Sequence, residues 1–588
     1  MLCGTLPVFA EDDALETLGF IEPLNSTVSS RAPKPLSQTA ENITIVTAED
    51  IRALNAHTLA DILDSIPGVQ LQHNGGPGIT AYALIQSINF NYAQVFIDGV
   101  SLSDVASNFA DVSLIPAQIV ERIEVLKGPG SSVWGQAMGG VINVITKSPE
   151  ISRSLSGSAT ASIGEHTTTD TRVELSGTNG KLGYYLSGGY LGSNGLLPTM
   201  QIDSNHEYAK LTYDLPNQGQ IWGTFSRNHA SAGDLYALKY DLKERDKKDI
   251  LLASLGLRYN LGDGLELEFA GRHSDMRQDS TYANISDGLP WTPTLPTSTI
   301  KQTVDGVSAK LNWRKSINLL TAGIDFNHNV SESNNSDGST LSPWSKRSDR
   351  WGFFLNDTVS LGTVSITPSA RIDKTQTGGD QVSASLGTTW QVDNNTLLRA
   401  FVGRGYGLPD LAFTYTDPVK ILTTQIGAES TAVPYLWLKG TLFRNMTWGS
   451  GVEQLLAMGT ELEVRTTPLF NTSLSAGWTY TDTHRTSDSS TVYNVPTHTL
   501  LLGLRYDDKT FRGMLAARHI NWNAEPDWNA KDSGFLWDLH LGATLLKREN
   551  SSMELFFSGH NLFNRDQYNR DVFPNVPRWF DGGLRVNF

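Results

Sequence analysis

From residue 153 onward the chain alternates between apolar and polar positions. In RSLSGSATASIG, Leu155, Gly157, Ala159, Ala161 and Ile163 share one side, and serines and threonines take the other. LELEF sets Leu265, Leu267 and Phe269 against Glu266 and Glu268, and HTLLLGLRY and WFDGGLRVNF follow the same rule. A period of two means an extended strand with one apolar and one polar face. There are 22 such segments between 153 and 588, with no helical stretch among them. Asn179-Gly180, Asn217-Gln218-Gly219, Gly262-Asp263-Gly264, Gly362-Thr363, Asp393-Asn394-Asn395 and Asp507-Asp508-Lys509 supply tight-turn chemistry. The connections 276–300, 330–348, 484–497, 520–534 and 564–577 are long. Alternating short and long connections predict an antiparallel up-and-down meander whose two ends differ.

The first quarter reads otherwise. NITIVTAEDIRALNAHTLADILDSIPGV opens on a short strand around Ile43 and Val46. Thr47 with Asp50, and Thr58 with Asp61, have the spacing of N-terminal caps for two helices, the second closed by Pro67-Gly68. Short strands follow in VQLQ, AQVFIDGVSL, VERIEVLKG and GVINVITK, so residues 41–149 are expected to form a small α+β domain. Residues 11–40 are polar, carry Pro23, Pro33 and Pro35, and lack periodicity, as an extended arm would. Val8-Phe9-Ala10 before Glu11 has the small residues of a signal-peptide cleavage site, so residues 1–10 are read as a signal remnant whose removal takes the single cysteine, Cys3.

Composition narrows the class. No run of 18 apolar residues occurs, so no membrane helix is expected. A meander with one apolar face throughout residues 150–588 instead matches an outer-membrane β-barrel, with short turns at one end and long loops at the other. Tyr184, Tyr185, Trp222, Trp313, Trp351, Trp390, Trp478, Tyr480, Tyr506 and Trp537 cluster near segment ends, as an aromatic girdle would. A propeller would show a recurring blade mark, and none is present. A barrel this wide calls for a filled lumen. The fold expected is therefore an all-β transmembrane barrel of 22 antiparallel strands with the N-terminal α+β domain as a plug inside it. The net charge of -15 argues against a nucleic-acid partner.

The chain resembles the TonB-dependent outer-membrane receptors over nearly its whole length. The resemblance rests on ITIVTAEDIRALNAHTLADILDSIPGV, VFIDGVSL and VERIEVLKGPGSSVWGQAMGGVINVITK in the plug. In the barrel it rests on GRGYGLPDL, MGTELEV, VPTHTL, SGHNLFNRDQY and the terminal Phe588. The plug motif comprises Asp98, Gly99, Arg122, Glu124, Gly128, Gly130, Gly135, Gly139, Gly140 and Asn143. Leu584, Val586 and Phe588 look like the signal read by the outer-membrane assembly machinery. The family implies active import, energised by TonB and its inner-membrane complex, of a scarce small molecule across the outer membrane. TonB adds a strand to an extended segment; Glu16, Thr17, Leu18, Gly19 and Phe20 form one candidate box, and Ser26, Thr27 and Val28 another. Gln86-Ser87 replaces the family's Arg-Gly pair, which removes the residue for a plug-to-wall ion pair at that point. In proportions the chain resembles the family's cobalamin transporters, so cobalamin or a related corrinoid is the substrate expected, with a ferric-siderophore or other metal-chelate as the alternative. A passive channel or adhesin-like barrel is the alternative of another class.

Candidate ligand contacts are Gln72, Asn74, Asn89 and Tyr92 in the plug, and Trp291, Trp344, Trp522 and Trp528 in long loops. Asp203, Asp234, Asp241, Asp246 and Asp249 are read as lying in the second and third long loops. They are the donors a calcium ion would use, as in the family's cobalamin transporters, or else a solvated loop face. No other cofactor is expected. Gly128-Pro129-Gly130 fails as a dinucleotide loop, because Val133 stands where a third glycine belongs and no helix is expected after it. Ser131 and Ser132 lack the flanking glycines of a nucleophile elbow. No catalytic constellation appears, and an enzyme is not expected.

Overall fold

The computed structural model describes residues 25–287, 295, 297–335, 343–411 and 417–588, with Asn335 by its backbone alone. The signal remnant, the Glu16 to Phe20 box and Trp291 lie outside the described residues. Twenty-two strands form one closed barrel. Each strand pairs antiparallel with its sequence neighbour within the barrel, and the ring closes where Ser156–Gly164 pairs with Trp579–Asn587, Ser158 opposite Asn587. Closure leaves no strand edge, so every main-chain group within the lipid core can be paired inside the sheet.

The period of two is realised directly. Along Trp344–Leu361, Phe353 and Leu355 are exposed toward lipid, while Phe354 and Asn356 are buried toward the lumen. Leu584 and Phe588 are exposed on the outer side. Tyr185 departs from the girdle reading. It faces inward, is buried, and donates its hydroxyl to Glu174 Oε2 at 2.8 Å.

Several strands are far taller than the bilayer requires. Gln220–Ala237, Leu242–Gly262 and Leu265–Asn284 run 18, 21 and 20 residues, against roughly 9–11 for a membrane crossing. Much of what reads as the loop 276–300 is therefore strand that has left the membrane. Strict alternation of short and long connections also fails at the outer end, where Leu436–Gly449 turns straight into Val452–Thr466.

The lumen holds the plug. Its five-stranded sheet runs, in order, Asn42–Val46, Val120–Lys127, Gly140–Thr146, Ala93–Ile97 and Val100–Ser101, with Ala93–Ile97 and Gly140–Thr146 parallel. Val69–His73 and Ala81–Ile85 make a separate hairpin. The helix Ala48–Ala53 is capped as its sequence suggests: Asp50 N donates to Thr47 Oγ1, and Thr47 N donates to Asp50 Oδ2 at 3.1 Å. Before Leu59–Leu63, Asp61 Oδ2 accepts from His57 N and Thr58 N. A one-turn helix, Ser131–Trp134, follows Gly130, where the sequence suggested none. Four residues are enough to re-aim the chain between two strands but too few to act as an anion site. Gly140 must be glycine: its φ is +139°, and a Cβ there would lie 2.6 Å from the Leu126 carbonyl oxygen.

The larger apolar core shared by plug and wall lies on one side; a small second one joins Ile88 and Met138 to Val419 and Ile421. In the larger core, Leu59, Ile62, Val112, Ile123 and Val144 of the plug belong to the same buried cluster as Tyr185, Ile202, Tyr208, Ile250, Leu252 and Met276 of the wall. Along the last wall strands, a cavity of about 1010 Å³ separates them from the plug helices.

The lipid face gives a direct test. Leu355→Arg places a guanidinium on a lipid-exposed position and should cost about 2–4 kcal/mol of barrel stability. Asn356→Ser, one residue on and facing the lumen, should cost less, as read by reversible urea unfolding in phospholipid vesicles.

Candidate functional site

Three groups of residues tie the plug to its surroundings. The first is a buried charge cluster. Lys127 Nζ lies 2.8 Å from Glu461 Oε2 and 3.6 Å from Glu463 Oε1, and all three side chains are almost wholly buried. Glu461 also accepts from Asn42 Nδ2 at 2.9 Å and Gln86 Nε2 at 2.8 Å. Lys439 pairs with Glu463 and donates to the Ile43 carbonyl. Gln86 therefore meets the wall where the sequence departs from the family it resembles, through a neutral donor in place of a cation. The ion pair is supplied by Lys127 instead. Gln86 and Ser87 both have positive φ, 50° and 62°, a turn that a Gly at 87 would adopt more easily.

The second group holds the N-terminal segment. Glu124 Oε2 accepts from Ser26 Oγ, Thr27 N, Thr27 Oγ1 and Val28 N at 2.8–3.1 Å. Asn143 Nδ2 donates to Thr27 Oγ1 at 3.2 Å, and Trp134 Nε1 donates to the Val28 carbonyl at 2.6 Å. Arg122 pairs with the other Glu124 oxygen at 3.1 Å. Two plug-motif residues thus hold the Ser26 to Val28 candidate inside the plug. A little further on, Arg31 forms a two-pronged bond to Asp325, which also binds Arg371, a guanidinium buried against Asp373 and the Val133 carbonyl. Asp98, in the Asp98-Gly99 turn, accepts from Thr146 and Tyr208. Gly128 approaches Gln425 so closely that a Cβ would meet its Nε2 at 2.8 Å.

The third group faces outward. Tyr82, Phe90 and Phe109 pack ring against ring with centroids 4.7–5.2 Å apart. Tyr82 and Phe90 lie between the candidates Asn74 and Tyr92, and Phe109 lies in a later plug loop that holds no candidate; none of the three is a candidate itself. Tyr82 lies on the strand Ala81–Ile85, whereas Phe90 and Phe109 lie off strands, where no alternation explains an aromatic residue. Of the plug candidates, Asn89 is exposed, and Gln72 and Tyr92 are half-buried. Asn74 is buried and donates to Asp234 Oδ1 at 3.4 Å. Trp344 and Trp522 lie on strands rather than loops. Trp528 caps a short 3-10 turn beneath Lys239 and Arg570, with Tyr240 at its edge.

Strand height also rearranges the acidic candidates. Asp203, Asp234, Asp246 and Asp249 lie on strands, not in loops. Asp203 bonds Tyr190, and Asp249 pairs with Arg227 at the surface. Asp241 holds its own turn through Ser286 and Asn284. Only Asp234 and Asp246 converge, joined by Glu244, which the sequence reading did not include; their carboxylate oxygens lie within 4.8 Å of one another. Lys248, beside them, reaches the plug at Asp111 Oδ2, 2.8 Å away. Burial alone would raise the Asp111 carboxyl, but the Lys248 ammonium holds it below the ordinary carboxylate range.

Elsewhere on the plug–wall seam, His57 Nδ1 lies 2.6 Å from Asp170 Oδ2. Burial lowers the affinity of this imidazole for a proton, but the bond to Asp170 and the charges of Asp581 and Asp170 outweigh it and hold its pKa up at about 9.

Two predictions follow from the contacts. Glu124→Ala deletes one carboxylate that collects four donors, so the 25–35 segment should be cut faster by protease while the barrel stays intact. Unchanged cleavage would mean that Glu124 does not hold it. Lys127→Met leaves two glutamates buried without their shared cation and should lower plug stability by about 3–5 kcal/mol, read as a lower first transition in a thermal melt.

These features have close counterparts. Residues 35–141 match the TonB-dependent Receptor Plug Domain, and residues 169–447 match the TonB dependent receptor-like β-barrel. A relative, "Vitamin B12 transporter BtuB" of Vibrio vulnificus (strain CMCP6), is 26% identical over 416 residues, covering 66% of this chain. That match spans 64% of the relative's own length. Among solved structures, the ferric citrate transporter FecA superposes with a TM-score of 0.79 at 16% identity, over 96% of this chain and 99% of that one. The ferric preacinetobactin receptor BauA of Acinetobacter baumannii gives 0.78 at 14%, over 96% and 99%. The copper transporter OprC gives 0.77 at 16%, over 93% and 98%. At such identities the structures speak for the fold alone. With both of its domains matched in order, the chain belongs to the TonB-dependent receptors of the outer membrane, a family of transporters and not of enzymes.

Proposed function

We propose that this protein imports a scarce small molecule across the outer membrane, driven by TonB. The observation that carries the reading is the unequal seating of the plug. One side is packed into the wall, and another faces a cavity of about 1010 Å³. That cavity runs from Trp579 and His560, at the outer ends of their strands, to Asp507 and Lys509 beside a short turn. A modest movement of the plug helices would widen an existing gap, whereas movement of the packed side would have to expose apolar surface.

The N-terminal segment supplies the handle. It is held by hydrogen bonds that converge on Glu124 and by the Arg31 bond to Asp325, polar contacts that can be released in sequence by a pull on the chain. The Ser26 to Val28 box could be taken only after Glu124 and Asn143 let go.

Cobalamin or a related corrinoid is the favoured substrate. The similarity to a vitamin B12 transporter supports it, and the Tyr82, Phe90 and Phe109 cluster suits the apolar face of a large flat ligand. A ferric-siderophore or other metal-chelate is the second reading, supported by the solved structures that share the fold. Calcium fits Asp234, Glu244 and Asp246, with the buried Asn74 Oδ1, which has no hydrogen-bond partner among the described residues, as a further oxygen donor.

Purified protein should bind cyanocobalamin at micromolar concentration or better. Phe90→Ala should weaken binding by roughly tenfold or more, and Asp246→Asn should abolish any strengthening by calcium. Binding of an iron chelate alone would overturn the corrinoid reading. Uptake by cells that persists after loss of TonB would overturn the import mechanism.

A further inference from the structure

The seam around His57 is built in a way that plug docking does not require. Asp170 Oδ2 sits on Nδ1 at 2.6 Å, Arg172 braces Asp170 and donates to the Ala56 carbonyl, and His57 N is fixed by Asp61. These contacts fix the ring so that Nε2 points at the wall. There it meets Asp581 Oδ2 at 3.8 Å, too far for a hydrogen bond. Both atoms are buried and have no hydrogen-bond partner among the described residues. The other Asp581 oxygen lies 3.2 Å from His560 Nε2. His560 is held flat against Trp579, ring centroids 4.1 Å apart and planes 8° from parallel.

We infer that His57, His560 and Asp581 form a binding site for a divalent transition cation that joins the plug to the barrel wall. One donor atom from each residue lies within 4.8 Å of the others. Bonds of about 2.1 Å at the tetrahedral angle place donors roughly 3.4 Å apart, so the 3.8 Å gap between His57 and Asp581 needs to close by only a few tenths of an ångström. The carboxylate on the far nitrogen of His57 is the arrangement that orients metal-ligating imidazoles. Two imidazoles and one carboxylate select zinc and its neighbours rather than calcium, which takes oxygen donors. His57, His560 and Trp579 also line the large cavity, which provides an entry route and room for a solvent molecule as fourth ligand. The competing occupant of His57 Nε2 is a proton, which would leave the ring as an imidazolium between two aspartates. The site is separate from the Asp234, Glu244 and Asp246 cluster, and it does not depend on which nutrient is carried.

The test uses full-length protein stripped with a chelator, then dialysed against zinc, with bound metal measured by mass spectrometry. One equivalent should bind at micromolar free zinc. His57→Gln and His560→Gln should each weaken binding by about tenfold or more, and Asp246→Asn should leave it unchanged. Cobalt in place of zinc should give the intense visible absorption of a low-symmetry four-coordinate site, lost in His560→Gln. Gel mobility of the unheated barrel reports whether each variant is folded. No zinc bound by the unaltered protein would overturn the inference and leave His57 as an imidazolium lock. Full binding by folded His57→Gln would overturn it equally.

Discussion

Main-chain hydrogen bonding in lipid is the constraint from which this structure follows. A strand in the bilayer core must pair on both edges, so the sheet closes, and closure at 22 strands fixes a lumen too wide for wall side chains to fill. Something else has to occupy it. The plug does so with its own apolar core, yet it cannot be fused to the wall all round, because a wall-wide apolar seam would never release. The compromise is visible in the sequence of contacts around the ring. There is shared hydrophobic packing on the strands near the start of the barrel, a buried charge cluster around Lys127, Glu461 and Glu463, and a cavity along the last strands.

The polar contacts are specific without being strongly stabilising. A buried ion pair regains little more than its desolvation cost, but removing one partner is expensive. Such contacts set where the plug sits and penalise every misplacement, while a coordinated shift of both partners into water loses little. The same logic applies to the N-terminal segment, where one carboxylate collects four donors. Deformation is thereby concentrated on a few side chains, and the packed sector keeps the plug attached.

Period-two alternation made the barrel legible, because one face must meet lipid and the other must not. Cap spacing made the first plug helix legible for an equally local reason. What stayed hidden was set by height and convergence. Asp246 and Asp249 read as one acidic loop, but on a 21-residue strand they point to opposite sides, so Asp246 joins Asp234 and Glu244 while Asp249 joins Arg227. Tyr185 read as girdle because periodicity alone does not say which face a boundary tyrosine takes. The contacts of Gln86, Lys127 and His57 link residues hundreds of positions apart, and no local pattern announces a partner at that range.

The account turns on whether the plug closes the lumen until it is moved. Planar-bilayer conductance tests this most directly, comparing the full-length protein with a form lacking residues 25–149. The intact protein should be silent, and the plugless barrel should open a large, ohmic pore. Sustained open-pore currents from the intact protein would contradict the account and return the barrel to the class of passive channels.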